Sequence, residues 1–333
     1  MPQPASNIAV CLMGPTATGK TDIALALAAR LPIDLVSVDS AMVYRGMDIG
    51  TGKPSCAEQA RHPHRLIDIR DPWEQYSAGE FAADAAAAIR DSQVRGRIPF
   101  LVGGTMLYFR SLIDGLSPLP AADPALRARL DARAVVEGWP ALHRELAELD
   151  PVAAARISPT DRQRIQRALE VCLLAREPLS AIHARSSAAP SRQLVTQPAT
   201  QPLTTWFKVG IRPAERANLA GRIARRLATM LERGFKDEVE RLLALPDMHP
   251  ERPALRAVGY RQLASHVLGR CGRAEAESAA LAATRQLAKR QLTWLRREHC
   301  DAWLDMESGS LAGDLEALVR QRMAADAISG SSG

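Results

Sequence analysis

Short apolar runs alternate with helical segments along the first 120 residues. The apolar run Ile8–Met13 has the length of a strand, and the alanine- and leucine-rich segment that begins at Asp22 predicts a helix. Ile33–Asp39 and Ile98–Val102 predict two further buried strands. Because strands that alternate with helices form parallel sheets covered by helices, this part of the chain predicts an α/β fold.

The segment between these strands adds to the same pattern. His64–Pro72 predicts a third strand that ends in a turn. Ser77 and Glu80 have the spacing of a capping box, which predicts a helix through about Val94. Met106–Asp114 predicts the helix that follows the last of these strands.

The pattern changes at about Leu116, where strand signals give way to helix signals. Asp123 and Pro124 are typical of a helix N-cap and first position, and helical periodicity continues to about Ala175. The Ser-, Pro-, Thr- and Gln-rich residues 184–204 predict a mobile linker, and the strand pattern then resumes. We therefore expect an α/β core made of residues 1–120 and 203–333, with an all-helical insertion domain over residues 121–202.

Composition places the chain among ordinary soluble proteins. Its 333 residues are 47% hydrophobic and 24% charged. The five cysteines are scattered and never spaced as C-x-x-C, which favours reduced thiols over disulfides or a zinc site. No apolar segment approaches the length of a membrane span. The sequence thus predicts a cytoplasmic protein without membrane segments.

Positive charge is concentrated towards the C-terminal end. The net charge is +6, and residues 252–299 alone hold ten Lys and Arg against three Glu. On a helix from Ala279 to His299 the apolar residues share one side, and cations such as Arg285 and Lys289 flank it. Such a face indicates binding to a phosphate backbone, and a merely solvated basic surface is the alternative.

The most specific chemical signal follows the first strand and has the spacing G-x-x-x-x-G-K-[ST]. Its glycines let the backbone wrap around an anion, the next helix points its N-terminus at that anion, and the lysine adds a positive charge. The final threonine would offer its hydroxyl to Mg²⁺. This P-loop predicts a polyphosphate site made of Gly14, Pro15, Thr16, Ala17, Thr18, Gly19, Lys20 and Thr21.

Asp39 ends the second predicted strand, and parallel sheets bind ligands at the carboxyl ends of their strands. We therefore expect its carboxylate to lie close to whatever the P-loop holds. The glycine-rich residues 41–54 that follow predict a binding loop. No acidic residue follows Val102, where many P-loop nucleotidases place a carboxylate linked to magnesium, and this argues against a simple ATPase.

These motifs, in this order, resemble the tRNA dimethylallyltransferase family, also called tRNA isopentenyltransferase or IPP transferase. The zinc finger of its eukaryotic members is not seen here, so we expect the bacterial type. Besides the P-loop, the matching stretches are Ser37–Tyr44, Asp48–Thr51, Lys53–Pro54, Gly103–Thr105, Tyr108, Asp161–Glu170, Val258–Gln262 and Thr284–Arg296.

The resemblance implies a P-loop NTPase-like parallel sheet and a prenyl transfer reaction. A dimethylallyl group would pass from dimethylallyl diphosphate to the exocyclic N6 amine of the adenosine on the 3′ side of the tRNA anticodon. The P-loop would hold the departing diphosphate, which Lys20, Thr21, Arg216 and Mg²⁺ would stabilise. Asp39 would remove the proton from the amine; its alternative roles are magnesium coordination and loop capping.

The anticodon stem-loop of tRNA is the implied partner, its target base must leave the stack, and the enzyme is expected to be a monomer. Tyr260 is a candidate for base stacking. The residues expected to contact RNA are Asp39, Ser40, Ala41, Met42, Thr105, Arg127, Gln163, Arg164, Ile165, Gln166, Arg167, Arg256, Gly259, Tyr260, Arg285, Gln286, Lys289 and Arg290.

Two alternative functions fit parts of the sequence. A P-loop small-molecule kinase, with Asp39 as the base for an acceptor hydroxyl, explains the first 120 residues. It leaves the basic C-terminal segment unexplained, because a small acceptor needs only a few cations. A nucleic-acid-binding NTPase without transfer chemistry is disfavoured by the missing acidic residue after Val102.

Overall fold

A single parallel sheet organises the first of two compact units. The computed structural model describes residues 7–188 and 204–330. In this part of the chain the sheet has six strands in the order β3-β2-β4-β1-β5-β6, and every neighbouring pair is parallel. The strands are β1 (Ile8–Met13), β2 (Ile33–Val38), β3 (His64–Arg65), β4 (Ile98–Gly103), β5 (Thr205–Arg212) and β6 (Ala302–Asp305).

Helices cover this sheet. Those of the first unit are α1 (Lys20–Ala28), α2 (Cys56–Arg61), α3 (Ala78–Val94), α4 (Met106–Ile113), α10 (Arg216–Glu232), α11 (Phe235–Leu243), α12 (Tyr260–Val267), α13 (Arg273–Leu295) and α14 (Leu311–Gly330), with a 3₁₀ turn at Ala254–Arg256. The second unit, which starts at Asp114, holds α5 (Pro124–Glu137), α6 (Trp139–Leu149), α7 (Pro151–Ala154), α8 (Arg162–Ala175) and α9 (Leu179–Ala188).

Continuous apolar runs explain the central strands. All residues of β1 and β4 are buried, as expected for strands covered on both faces. Helix α1 packs on one face through Ile23, Ala24 and Leu27, which join the strand side chains in one core cluster. The predicted α/β class with a parallel sheet is therefore confirmed.

A second core cluster of the first unit lies beneath the loop that follows β2. It joins Val43 and Met47 of that loop to Phe235 and Val239 of α11 and to Tyr260 of α12. This cluster holds the loop, whose Ile49 and Gly52 line the same cavity as Gly19 and Lys20 of the P-loop.

The helical unit has its own core. Leu142, Leu146, Ile165 and Leu169 are completely buried there. Asp123 caps α5 through hydrogen bonds from the amides of Ala125 and Leu126, and Pro124 takes the first helical position. The predicted linker begins inside α9, which extends to Ala188; its residues 189–203 lie outside the described part.

The first unit differs from the prediction at its third strand and at its C-terminal end. The third strand has only two residues, because Leu66 and Asp68 adopt positive φ angles of 64° and 55° that end the extended backbone. Strand β6 and helix α14, at the C-terminal end, were not predicted. Four residues of mixed polarity give too weak a pattern to identify β6 from sequence.

We expect Gly103→Ala to destabilise the first unit by about 1–3 kcal/mol or more. A Cβ atom at Gly103 would lie 2.0 Å from the carbonyl oxygen of Val38, so β2 and β4 would have to separate. Chemical denaturation measures the change. Gly309→Ala is the control, because nothing lies within 4 Å of its added Cβ, and equal losses from the two variants would contradict the argument.

Candidate active site

The P-loop connects β1 to α1. Ala17 and Gly19 adopt positive φ angles of 65° and 85°, which turn the backbone sharply between the two elements. The Thr18 hydroxyl donates to the Pro15 carbonyl at 2.9 Å and braces the turn. No side chain of the described residues caps the N-terminus of α1, so its first amides are open to an anion.

Lys20 is half-buried in this loop. Its ammonium Nζ donates to the Pro15 carbonyl at 2.6 Å. Burial, together with the nearby Arg226 guanidinium, lowers the pKa of Lys20 to about 7. A bound anion would oppose both effects and restore the charge of Lys20.

A basic cavity of about 630 Å³ opens beside Lys20 and Thr21. Six cations line it against two carboxylates. The cations are Lys20, Lys53, Arg222, Arg225, Arg226 and Arg233. Three of these arginines belong to α10, so this helix adds half of the cations that line the cavity.

Arg226 is tied to two loops at once. Its Nη2 donates to the Thr51 carbonyl at 2.8 Å, and its Nη1 donates to the Thr16 hydroxyl at 3.3 Å. Arg216, the arginine that the resemblance indicated, is instead an exposed residue in the first turn of α10. It lies ten residues from Arg226, which is about 15 Å along a helix. It lines neither the basic cavity nor the apolar cavity described below. The α10 arginines that do line the basic cavity are at positions 222, 225 and 226. Their helical spacing was the sequence signal that could have identified them.

Asp39 follows β2, as predicted, and faces the same region. Its Oδ1 accepts hydrogen bonds from the amides of Ala41 at 2.8 Å and Met42 at 3.3 Å. Its other oxygen, Oδ2, has no hydrogen-bond partner among the described residues. The Ser40 amide donates to the Thr105 hydroxyl at 3.1 Å, which joins the loops after β2 and β4. Asp39 thus caps its loop with one oxygen and leaves the other without a partner in the described part of the chain.

A second cavity of about 450 Å³ contains Asp39 and is mostly apolar. Helix α10 contributes Ile223, Leu227 and Met230 to its wall, four and three residues apart on one face. Trp294 and Leu107 also line it, and both are partly exposed. The two cavities share three lining residues, Ala17, Arg226 and Met230, so they meet at the P-loop.

Gln291 of α13 was not among the predicted residues. Its Oε1 accepts from the Thr16 amide at 2.9 Å, and its Nε2 donates to the Gly104 carbonyl at 2.9 Å. It therefore bridges the P-loop and the end of β4. Its signals in the sequence are its place one residue after a predicted cation, Arg290, and its position within the matching stretch Thr284–Arg296.

The predicted cations of α13 form an exposed face. Arg285, Gln286, Lys289 and Arg290 are all exposed, and none of the three cations forms an ion pair within the described part of the chain. Arg290 also lines the apolar cavity, as do Arg256 and Gly259 from the segment before α12. Unpaired charge beside a cavity is suited to binding a polyanion.

Tyr260 does not match the expectation of a stacking residue. Its side chain is completely buried, and its hydroxyl donates to Glu238 at 2.5 Å. A base cannot stack on a ring that is enclosed by the core. Among the aromatic side chains that line the cavity, Trp294 is 38% exposed, whereas Phe235 and Tyr260 are buried.

The predicted RNA contacts of the helical unit divide into exposed and internal residues. Gln163 and Arg164 are exposed at the start of α8, whereas Ile165 is completely buried, so its side chain is no contact surface. The side-chain amide of Gln166 donates to the Asp131 carboxylate at 2.9 Å.

Buried Glu170 engages the other two predicted cations of that unit. It accepts two hydrogen bonds from Arg127, at 2.8 and 2.9 Å, and one from Arg167 at 2.5 Å. These pairs hold the pKa of Glu170 below its usual range despite the opposing effect of burial. Arg127 and Arg167 are therefore partly neutralised and held in place.

No group of three or more His, Cys, Asp or Glu side chains within the described residues is arranged to hold a metal ion. The Thr21 hydroxyl lines the basic cavity with Lys20. Mg²⁺ commonly takes one or two protein oxygens and completes its shell with phosphate oxygens and water. Thr21 beside an anion site fits that requirement.

Comparison with known proteins places this geometry in a family. The model of the family described as IPP transferase matches residues 42–298. The chain belongs to the IPP transferase family. A tRNA dimethylallyltransferase of Bordetella petrii is 52% identical over 316 residues, covering 95% of this chain and 98% of that protein. One of Alkalilimnicola ehrlichii is 54% identical, covering 92% and 93%.

Solved structures agree with this membership. The full-length tRNA isopentenylpyrophosphate transferase of Bacillus halodurans is 34% identical, covers 98% of both chains and has a TM-score of 0.65. A eukaryotic dimethylallyltransferase acting on tRNA has a TM-score of 0.72 at 21% identity, covering 96% of this chain and 79% of that one, and supports the fold alone. Family membership does not favour the kinase alternative. None of the helices in the described part is long and apolar enough to cross a membrane.

We expect the binding of inorganic diphosphate at pH 8 to take up as much as about one proton at Lys20. The pKa of about 7 in the free protein lies below the ordinary 10.5, so the free amine is largely neutral at pH 8, and the bound anion raises the pKa again. Calorimetry in buffers of different ionisation enthalpy measures the uptake. Lys20→Gln should lack this contribution, and equal uptake by both proteins would contradict the assignment.

Proposed function

We propose that this protein transfers a dimethylallyl group from dimethylallyl diphosphate to the N6 amine of the adenosine on the 3′ side of the tRNA anticodon. The observation that supports this most directly is the composition of α10 beside the P-loop. Ile223, Leu227 and Met230 line the apolar cavity, and Arg222 and Arg226 line the basic one. One helix thus offers adjacent surfaces for a short apolar chain and for its diphosphate.

Asp39 acts as the general base in this proposal. The N6 lone pair attacks C1 of the dimethylallyl group, the C1–O bond to diphosphate breaks, and the N6 proton passes to the carboxylate. An exocyclic adenine amine is a poor nucleophile because its lone pair is delocalised into the ring, so proton removal as the bond forms matters. The free Oδ2 of Asp39 suits this role, while Oδ1 keeps the loop in shape.

The P-loop and α10 stabilise the leaving group. The open amides of α1 and the Lys20 and Arg226 side chains would meet the negative charge that develops on the diphosphate. Mg²⁺, held by Thr21 and by the diphosphate, would neutralise part of that charge. The diphosphate role that the resemblance assigned to Arg216 belongs to Arg226 in this proposal, because Arg226 lines the cavity and Arg216 does not.

Unpaired cations suit the RNA part of the substrate. Arg285, Lys289 and Arg290 of α13, with Arg256, would contact phosphates of the anticodon stem-loop, and Trp294 would contact a base at the cavity. The extruded adenosine would reach Asp39 through the apolar cavity, which Ser40 and Thr105 also line. In the helical unit, exposed Gln163 and Arg164 are the residues most available for RNA.

Label transfer tests the function as a whole. Purified protein, Mg²⁺ and tRNA that lacks the modification are incubated with dimethylallyl diphosphate labelled in its prenyl chain, beside a reaction with ATP. We expect label on the adenosine next to the anticodon and no consumption of ATP. Steady ATP consumption without transfer of label would instead support the kinase alternative.

We expect Asp39→Asn to lower turnover by about 10²–10⁴-fold while tRNA affinity stays within about tenfold. Asparagine keeps the oxygen that accepts from Ala41 and Met42 and loses only the basic group. Single-turnover kinetics and RNA-binding titrations measure the two effects separately. Near-normal turnover would remove Asp39 from the role of base.

Arg226→Ala should raise the KM for dimethylallyl diphosphate and lower the turnover number, each by about tenfold or more. The variant removes a guanidinium that donates within the P-loop region. Arg216→Ala is the matched control from the same helix and should leave both constants within about twofold. The reverse ranking of the two variants would return the diphosphate role to Arg216.

A further inference from the structure

Glu238 of α11 is a buried carboxylate that the mechanism does not use. Only 2% of its surface is exposed, and no Lys or Arg pairs with it within the described residues. Four donors satisfy it instead. Its Oε2 accepts from the amides of Asp48 at 2.9 Å and Ile49 at 2.7 Å, and its Oε1 accepts from the Gly50 amide at 3.0 Å and the Tyr260 hydroxyl at 2.5 Å. Three consecutive amides of one loop are thus bound by a single side chain.

These contacts fasten a tight turn, residues 48–52, onto the second core cluster. A Cβ atom at Gly50 would lie 2.0 Å from the ring of Phe235, so the backbone itself packs against the aromatic side chains. The Gly52 amide donates to the Ile49 carbonyl at 3.0 Å, and the Thr51 hydroxyl donates to the Met47 carbonyl at 2.6 Å. The turn has little freedom once Glu238 holds its first three amides.

The other side of the turn meets Arg226 of α10. The Thr51 carbonyl accepts from Arg226 at 2.8 Å, and a Cβ atom at Gly52 would lie 2.3 Å from the same guanidinium. Arg226 in turn donates to Thr16 in the P-loop. A continuous series of contacts therefore runs from Glu238 through the turn to Arg226.

We propose that Glu238 is a positioning residue for diphosphate binding: by holding the amides of residues 48–50, it fixes the Thr51 carbonyl that directs Arg226 towards the P-loop. A long guanidinium side chain has many rotamers, and an acceptor at a fixed position selects one of them before the anion arrives. This inference rests on the proposed function, since it assigns the P-loop to a diphosphate.

Glu238→Gln tests the proposal without the need for catalysis. Glutamine can accept on one side only, and its NH₂ group would face donors on the other, so the turn should loosen. We expect the Kd for inorganic diphosphate in the presence of Mg²⁺, measured by calorimetry, to rise at least tenfold. The Kd for an anticodon stem-loop RNA should change less than threefold, because the exposed face of α13 is not part of the contact series.

Val239→Ala is the matched control. Val239 is the next residue of α11 and is fully buried in the same core cluster, but it makes no hydrogen bond to the turn. This variant should lower Tm and leave the Kd for diphosphate within about twofold. If Val239→Ala weakens diphosphate binding as much as Glu238→Gln does, Glu238 has only a structural role and the proposal fails.

A double-mutant cycle with Arg226→Ala tests the route of the effect. Because Glu238 acts through Arg226, Glu238→Gln should change the Kd for diphosphate by less than about twofold when Arg226 is already absent. Independent contributions would multiply, and a full tenfold further loss would overturn the proposal.

Gly52→Ala provides a second approach that leaves the buried carboxylate intact. Its φ of 65° and the added Cβ atom disturb the turn where it touches Arg226, and we expect diphosphate binding to weaken at least fivefold. Unchanged binding would contradict the proposal even if Glu238→Gln did not fold. Failure of wild-type prenyl transfer would count against the proposed function, whereas diphosphate binding that is equal in wild type and Glu238→Gln would count against this inference alone.

Discussion

Positive charges that lie close together around the P-loop are the constraint on which the rest of the site depends. Lys20 is half-buried near Arg226, and desolvation together with that positive charge lowers its pKa. Lys53 is neutralised by Asp48 and Asp68, but the α10 arginines that line the basic cavity form no ion pair within the described part of the chain. A polyanion relieves this repulsion as it binds. Affinity for diphosphate therefore follows from charges that the fold holds together.

Holding these charges together requires segments that are far apart in sequence. Arg226 reaches Thr16 across 210 positions, and Gln291 reaches the same residue across 275. Strand β5 pairs with β1 along the full length of β1 and so brings the second part of the core to the first. The site is thus a property of the assembled core. The P-loop sequence alone provides neither the arginines nor the apolar wall.

This dependence explains which features could be predicted from sequence. The P-loop, the capping box of α3 and the place of Asp39 are local, because strand, loop and helix signals follow one another within a few residues. The role of Tyr260 was not predictable, because the local sequence of a basic segment is the same whether its tyrosine is exposed or buried. Here the side chain is buried and its hydroxyl donates to Glu238. Arg226 and Gln291 were missed because their function depends on which face of a distant helix meets the P-loop.

The end of β4 shows how the same motif serves a different chemistry. Nucleotidases with a P-loop often place an acidic side chain there, linked to magnesium. Here a Cβ atom at Gly103 would meet the Val38 carbonyl at 2.0 Å, and one at Gly104 would meet the Gln291 amide at 2.5 Å. No side chain fits at either position without displacing a neighbour. Helix α13 comes close to the P-loop in the space that this leaves, and it brings with it the exposed cations that suit an RNA substrate. The glycines at the end of β4 therefore account for both the missing carboxylate and the close approach of the basic helix.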